Sequence, residues 1–118
     1  YDGPLVGVIE PGGALRWLEA PPGLGWRLRG YVGSVAFAHG GGLVVATSPR
    51  GGRAIVWDAT GGRLLAEVPL ADVCGVAAND SGILLSSGGG ALCAMADAGS
   101  KPSPLPGPAL QWDNHMLG

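Results

Sequence analysis

The sequence predicts an all-β fold built from four-stranded antiparallel sheets. Three observations carry this. The 118 residues include 23 Gly and 10 Pro, yet 47% are hydrophobic and only 14% charged. That is the reverse of a disordered composition, so the Gly and Pro must punctuate many short apolar segments. Those segments are five or six residues long, the usual strand length. Finally, they recur with a period of 41 residues: Gly33-Ser34-Val35-Ala36-Phe37 aligns with Cys74-Gly75-Val76-Ala77-Ala78, and the next step falls on His115-Met116-Leu117.

The strand-like runs, in order, are 5–10, 14–19, 34–39, 43–48, 54–59, 63–68, 74–78, 83–87, 92–96 and 112–117. Turn residues fill the gaps: Pro11-Gly12-Gly13, Gly40-Gly41-Gly42, Thr60-Gly61-Gly62 and Asn79-Asp80-Ser81-Gly82. Only 23–30, GLGWRLRG, suits a single helical turn. In each repeat the second strand ends in small hydroxyls, Thr47-Ser48 and Ser86-Ser87, before a Gly-rich loop. Four short strands per 41 residues, with no amphipathic helix between them, is the pattern of a β-propeller blade. The chain then divides into an outer hairpin of one blade (5–20), a full blade (34–70), a second full blade (74–111) and the inner strand of a closing blade (112–117). The four prolines of 101–108 fall on the second blade's outermost strand, the one place in a sheet that tolerates them.

About two and a half blades are present, and closed propellers use four to eight. The expectation is therefore a partial β-propeller, the C-terminal third of a longer chain. Its open blade faces would be covered by the remaining blades or by another copy. A net charge of −2 without a Lys/Arg run excludes a nucleic-acid footprint, and no apolar run is long enough to span a bilayer. Cys74 falls on the innermost strand and Cys93 on the third. The intervening strand holds them beyond disulfide reach, so two reduced thiols are expected.

Several segments, in order, carry a family resemblance: Gly30-Tyr31-Val32-Gly33-Ser34, Ala46-Thr47-Ser48-Pro49-Arg50-Gly51-Gly52, Trp57-Asp58, Asp72-Val73-Cys74-Gly75-Val76, Ser87-Gly88-Gly89-Gly90 and Trp112-Asp113-Asn114-His115. Together they resemble the C-terminal part of domain-of-unknown-function family 1513. The resemblance covers about 5–117. It implies a seven-bladed propeller of the YVTN and quinoprotein amine dehydrogenase kind, exported to the periplasm by a twin-arginine signal. It also implies a genomic setting beside imelysin-like and di-haem peroxidase-like proteins linked to iron uptake. The His- and Glu-bearing motifs associated with the family's earlier blades do not occur here, so a site that they form is incomplete in this stretch.

The repeat also locates candidate chemistry. Tyr31, Asp72 and Asp113 are spaced 41 apart, as are Gly33, Cys74 and His115. Equivalent positions on successive blades face one axis, so these polar groups should ring one mouth. Arg50 follows the second strand of its blade, and antiparallel pairing returns it to that mouth. There it could bind a carboxylate or phosphate bidentately or pair with Asp72. The ligand-binding candidates are Tyr31, Arg50, Asp72, Asp113 and His115. Of these, His115, Asp113 and Asp72 are candidate metal ligands, with a hydrogen-bonded closing strand as the alternative. Cys74 is a candidate nucleophile or an inert core thiol. Trp57-Asp58 reads as structural, the Trp packing between blades and the Asp capping a turn.

No catalytic constellation is complete and no cofactor is named by the residues. The expected function is therefore a periplasmic binding or scaffold propeller accessory to metal (iron) uptake, with a periplasmic protein, a metal or a small ligand as partner. The alternative is a propeller enzyme, an oxidoreductase or hydrolase, with a metal or organic cofactor at the channel mouth.

Overall fold

The structure, a computed structural model, describes residues 3–79, 82–88, 92–95 and 103–104. Over these residues the chain is all-β apart from one short helix and a 3-10 turn. Strands β1 (Gly7–Ile9) and β2 (Leu15–Trp17) form an antiparallel hairpin, Gly7 opposite Trp17. The Pro-Gly-Gly turn between them is closed by Gly13 N–H donating to the Glu10 carbonyl. Helix α1 (Leu24–Arg27) is the single turn anticipated in GLGWRLRG.

Two four-stranded sheets follow. The middle sheet runs β3 (Ser34–Ala38), β4 (Leu43–Ser48), β5 (Arg53–Asp58), β6 (Leu64–Pro69), each strand paired antiparallel with the next. The third sheet runs β7 (Val73–Asn79), β8 (Gly82–Ser87), β9 (Leu92–Met95), β10 (Ser103–Pro104) in the same up-and-down order. This meander is the connectivity that the 41-residue repeat requires. Pro104 lies on the outermost strand, where a missing N–H breaks no inner ladder. The closing strand expected at 112–117 lies outside the described residues.

Strand pairing fixes which residues share a face. On the middle sheet one face carries Ala38, Val45, Ala54, Val56 and Val68, packed against Val73, Val76, Ile83, Leu85 and Met95 of the third sheet. The opposite face carries Val44, Ala46, Ile55 and Trp57, packed against Val6 and Leu18 beside the hairpin and Leu24 and Leu28 of α1. The central strands β4 and β5 are thus buried on both sides. That explains the near-continuous apolar runs of β4 and β5, which do not alternate as half-exposed strands would.

Trp57, only 2% exposed, donates its indole N–H to the Glu19 carbonyl at 2.8 Å and ties the hairpin to the sheet. Asp58 Oδ1 accepts the Thr60 N–H at 3.0 Å and caps the turn into β6. Both roles match the structural reading of this pair. At Gly51 the backbone passes so close to α1 that a β-carbon would collide with the Arg27 carbonyl oxygen. An outer ion cluster locks the same corner: Glu67 accepts from Arg27 Nε (2.6 Å) and Nη2 (3.0 Å) and from Arg53 Nη1 (2.6 Å).

Candidate functional site

The start of β3, the end of β4, the start of β7 and the end of β8 all lie at one end of the two neighbouring sheets, as the strand pairing dictates. Tyr31 precedes β3 and Arg50 follows β4. The Arg50 guanidinium carbon lies 5.1 Å from the centroid of the Tyr31 ring, a cation–π contact. Arg50 stacks on Tyr31 and forms no ion pair among the described residues, with Asp72 or any other acid. Both side chains are exposed, so the guanidinium edge is open to solvent.

Asp72 sits at the corresponding place before β7, exposed and with φ of 59°, a left-handed conformation that Asp tolerates better than most residues. Its carbonyl accepts the Gly88 N–H at 2.9 Å and lies 3.3 Å from the Cys74 Sγ, which donates to it. A β-carbon at Gly88 would fall 2.5 Å from Asp72 Oδ2, so a side chain there would push the carboxylate aside. Burial pushes the Cys74 thiol upward, and the neighbouring Asp72 charge pushes it further; the Gly88 backbone hydrogen bond opposes both. A protonated thiol is a poor nucleophile. Cys74 and Cys93 are both free, separated by β8 as the strand count anticipates.

Cys74 has a second role that its residue type does not announce. It is the extra residue of a β-bulge: Val73 opposes Ser87 and Gly75 opposes Ser86, leaving Cys74 without a partner across the ladder. The bulge frees its carbonyl, which accepts hydroxyl hydrogen bonds from both Ser34 and Thr47 of the middle sheet, each at 2.9 Å. This contact joins one sheet to the next at the mouth. The only sequence signal for it is the pair of hydroxyls ending each second strand, whose purpose is invisible until the sheets stack.

The structure therefore brings Tyr31 and Arg50 together and places Asp72 and Cys74 at the same end of the adjacent sheet. Asp113 and His115 lie outside the described residues. Among the described residues, no three His, Cys, Asp or Glu groups are clustered to hold a metal ion. No helix among them is long and apolar enough to cross a membrane.

A family described as protein of unknown function (DUF1513) matches residues 2–118. The chain belongs to this family. The match extends over both four-stranded sheets and over all five candidate ligand-binding residues, including Asp113 and His115 outside the described residues. No curated protein matches the chain. Membership in DUF1513 bears out the family suggested by the ordered tetrapeptides.

Proposed function

We propose that this DUF1513 chain forms part of a β-propeller that binds a small anionic ligand at its mouth, as a binding or scaffold protein and not as a catalyst. One observation carries the reading. Arg50 presents an exposed guanidinium, in cation–π contact with the Tyr31 ring and without an ion pair among the described residues. A stacked guanidinium keeps its N–H edge free and pre-orients it for a carboxylate or phosphate. Asp72 and, by the repeat, Asp113 and His115 border the same mouth, where a cation carried by such an anion would find oxygen and nitrogen donors. This agrees with a role accessory to iron uptake in the periplasm, which the family resemblance suggests. The enzyme alternative's candidate nucleophile is Cys74, and burial and the neighbouring Asp72 push its thiol upward, away from the reactive thiolate.

Calorimetric titration with citrate and with inorganic phosphate tests the proposal. Citrate should bind, with affinity falling at least about tenfold in Arg50→Ala, the usual loss for one desolvated charged hydrogen-bonding pair. Arg63→Ala, which removes an exposed cation on the turn at the other end of the sheet, should leave binding unchanged. Absence of binding by either anion, or equal loss in both variants, would overturn it. Fractionation of cells making the protein tests the periplasmic location.

A further inference from the structure

The arginines of the described residues fall into two groups. Arg16 bonds Glu10 and the Ala59 carbonyl, and Arg27 and Arg53 share Glu67. Arg29, Arg50 and Arg63 are exposed, and their side chains form no hydrogen bond or ion pair among the described residues. Arg63 stands on the turn at the far end of the middle sheet. Arg29 belongs to the same corner as Arg50, and its backbone is unusual.

Arg29 follows α1 with φ of 56°, and Gly30 after it has φ of 64°. Across them the Tyr31 N–H donates to the Leu28 carbonyl at 3.0 Å. Two left-handed central residues bridged by that bond make a type I′ turn. Gly, Asn and Asp dominate such turns, because most side chains are strained in the left-handed region. Arg29 therefore strains the backbone, and its side chain makes no bond among the described residues that would offset this. Asn or Gly would build the same turn with less strain. What arginine adds at this position is its guanidinium.

The turn is seated on the Arg50 loop. Ser48 donates its hydroxyl to the Leu28 carbonyl at 2.9 Å and accepts the Gly51 N–H at 3.1 Å. A β-carbon at Gly51 would lie 2.8 Å from the Leu28 Cα. Arg29 and Arg50 are the chain neighbours of these two touching residues, so their Cα atoms are no more than about 12 Å apart. Tyr31, which closes the turn, also carries the Arg50 guanidinium 5.1 Å from its ring centroid. Both cations thus rise from one knot of backbone. Glu67 is already held by Arg27 and Arg53, and Asp72 forms no ion pair with Arg29 or Arg50.

We infer that Arg29 is a second anion-binding residue of the mouth, and that Arg29 and Arg50 together select an anion with at least two separate charged groups, such as a tricarboxylate or a diphosphate. Each guanidinium takes one group through its paired N–H donors. An anion between them also relieves the repulsion of two cations that no acid neutralises. On the anion-binding reading of Arg50, on which this rests, the ligand's class narrows from any small anion to a multivalent one.

Calorimetric titration of the 118-residue chain with citrate, pyrophosphate and inorganic phosphate provides the test; the first two separate carboxylate from phosphate ligands. Arg29→Asn, which suits the left-handed turn, should weaken whichever of citrate and pyrophosphate binds by about tenfold, near the lower end for a hydrogen bond to a charged group. Inorganic phosphate, with a single group, should bind this variant as it binds the parent. Arg29→Lys should fall between parent and Arg29→Asn, because it keeps the charge and loses the paired donors. The urea midpoint of Arg29→Asn should equal or exceed the parent's, since the turn loses strain. A lowered midpoint would mean that Arg29 supports the fold, and would overturn the inference. So would an equal loss for phosphate, which would put both arginines on one group. Parent-like citrate and pyrophosphate binding in Arg29→Asn, with binding lost in Arg50→Ala, overturns the role of Arg29 and leaves the anion-binding reading standing. Failure of all three anions to bind the parent overturns both.

Discussion

Replacing Trp57 by Phe isolates what ties the hairpin to the middle sheet. The indole is 2% exposed and donates to the Glu19 carbonyl at 2.8 Å. Phenylalanine removes the donor and the five-membered ring. Losing the hydrogen bond costs about 1 kcal/mol, at the low end because Glu19 is exposed and water can reach its carbonyl. The space left among Val6, Leu18 and Ile55 adds about 1–2 kcal/mol, since a core hemmed in by two sheets and a helix collapses only partly. The expected total is about 2–3 kcal/mol. With a urea m-value of about 1–3 kcal/mol/M for a chain this size, the midpoint should fall by about 1 M or more, followed by far-ultraviolet circular dichroism. Trp17→Phe and Trp26→Phe serve as internal standards. Both tryptophans are more than half exposed, and their replacement should stay within about 0.5 kcal/mol. A Trp57→Phe midpoint indistinguishable from the parent, or a Trp17→Phe loss of equal size, would refute the assignment of Trp57 as the clasp.

Four other outcomes follow from the same structure. Gly51→Ala should cost at least about 2 kcal/mol in the same urea assay, because the added carbon meets backbone of Arg27 and Leu28, which cannot rotate away. Glu67 is held below the usual carboxylate range, chiefly by the Arg27 hydrogen bonds, with burial opposing and Arg53 adding. Its stabilising contribution should therefore be complete above the ordinary Glu value of about 4.3 and vanish as pH falls through the lower folded value. Glu67→Gln should accordingly unfold more easily at pH 7 and converge with the parent as pH falls below the ordinary carboxylate range. In a Cys93→Ser background, Asp72→Asn should speed alkylation of Cys74 by iodoacetamide at pH 8, since it removes one of the two influences raising the thiol; an unchanged rate would leave burial as the sole cause. Val76→Lys should unfold the chain, whereas Val35→Lys, 41 residues earlier, should change its stability by less than about 0.5 kcal/mol.

The meander was legible because its punctuation is local. The predicted run 43–48 coincides with β4, and most other boundaries move by a residue or two, because Gly-Gly turns and Pro-Gly pairs act on their own neighbours. The placement of Trp57 and Asp58 was readable for the same reason: an indole closing an apolar run, and an Asp three residues before a Gly-Gly turn, carry their roles with them. The junction between sheets was not. Ser34 and Thr47 converge on the Cys74 carbonyl only after a bulge at Cys74 turns that carbonyl outward, and a bulge leaves no mark in an apolar run. The Arg50 partner was half legible. The repeat returned Arg50 to the mouth, but whether it would meet Tyr31 or Asp72 depended on loop directions that spacing does not encode. The Glu67 cluster escaped because Arg27 and Glu67 are 40 residues apart on elements that touch only once α1 has docked.

The middle sheet also shows why the exposed apolar residues fall where they do. Val35 and Phe37 of β3 lie opposite Ala46 and Val44 of β4, on the face that the hairpin and α1 cover. Yet Val35 is 52% and Phe37 57% exposed, while Ala46 and Val44 are buried. On the third sheet the residue equivalent to Val35 is Val76, 7% exposed. The difference lies in the neighbour, not in the strand. The third sheet packs its inner strand against four complete strands; β3 has beside it a two-stranded hairpin that reaches only as far as β4. Covering Val35 and Phe37 would contribute about 1.5–3 kcal/mol each, depending on how completely they are removed from water. The two-stranded hairpin leaves both of them to water.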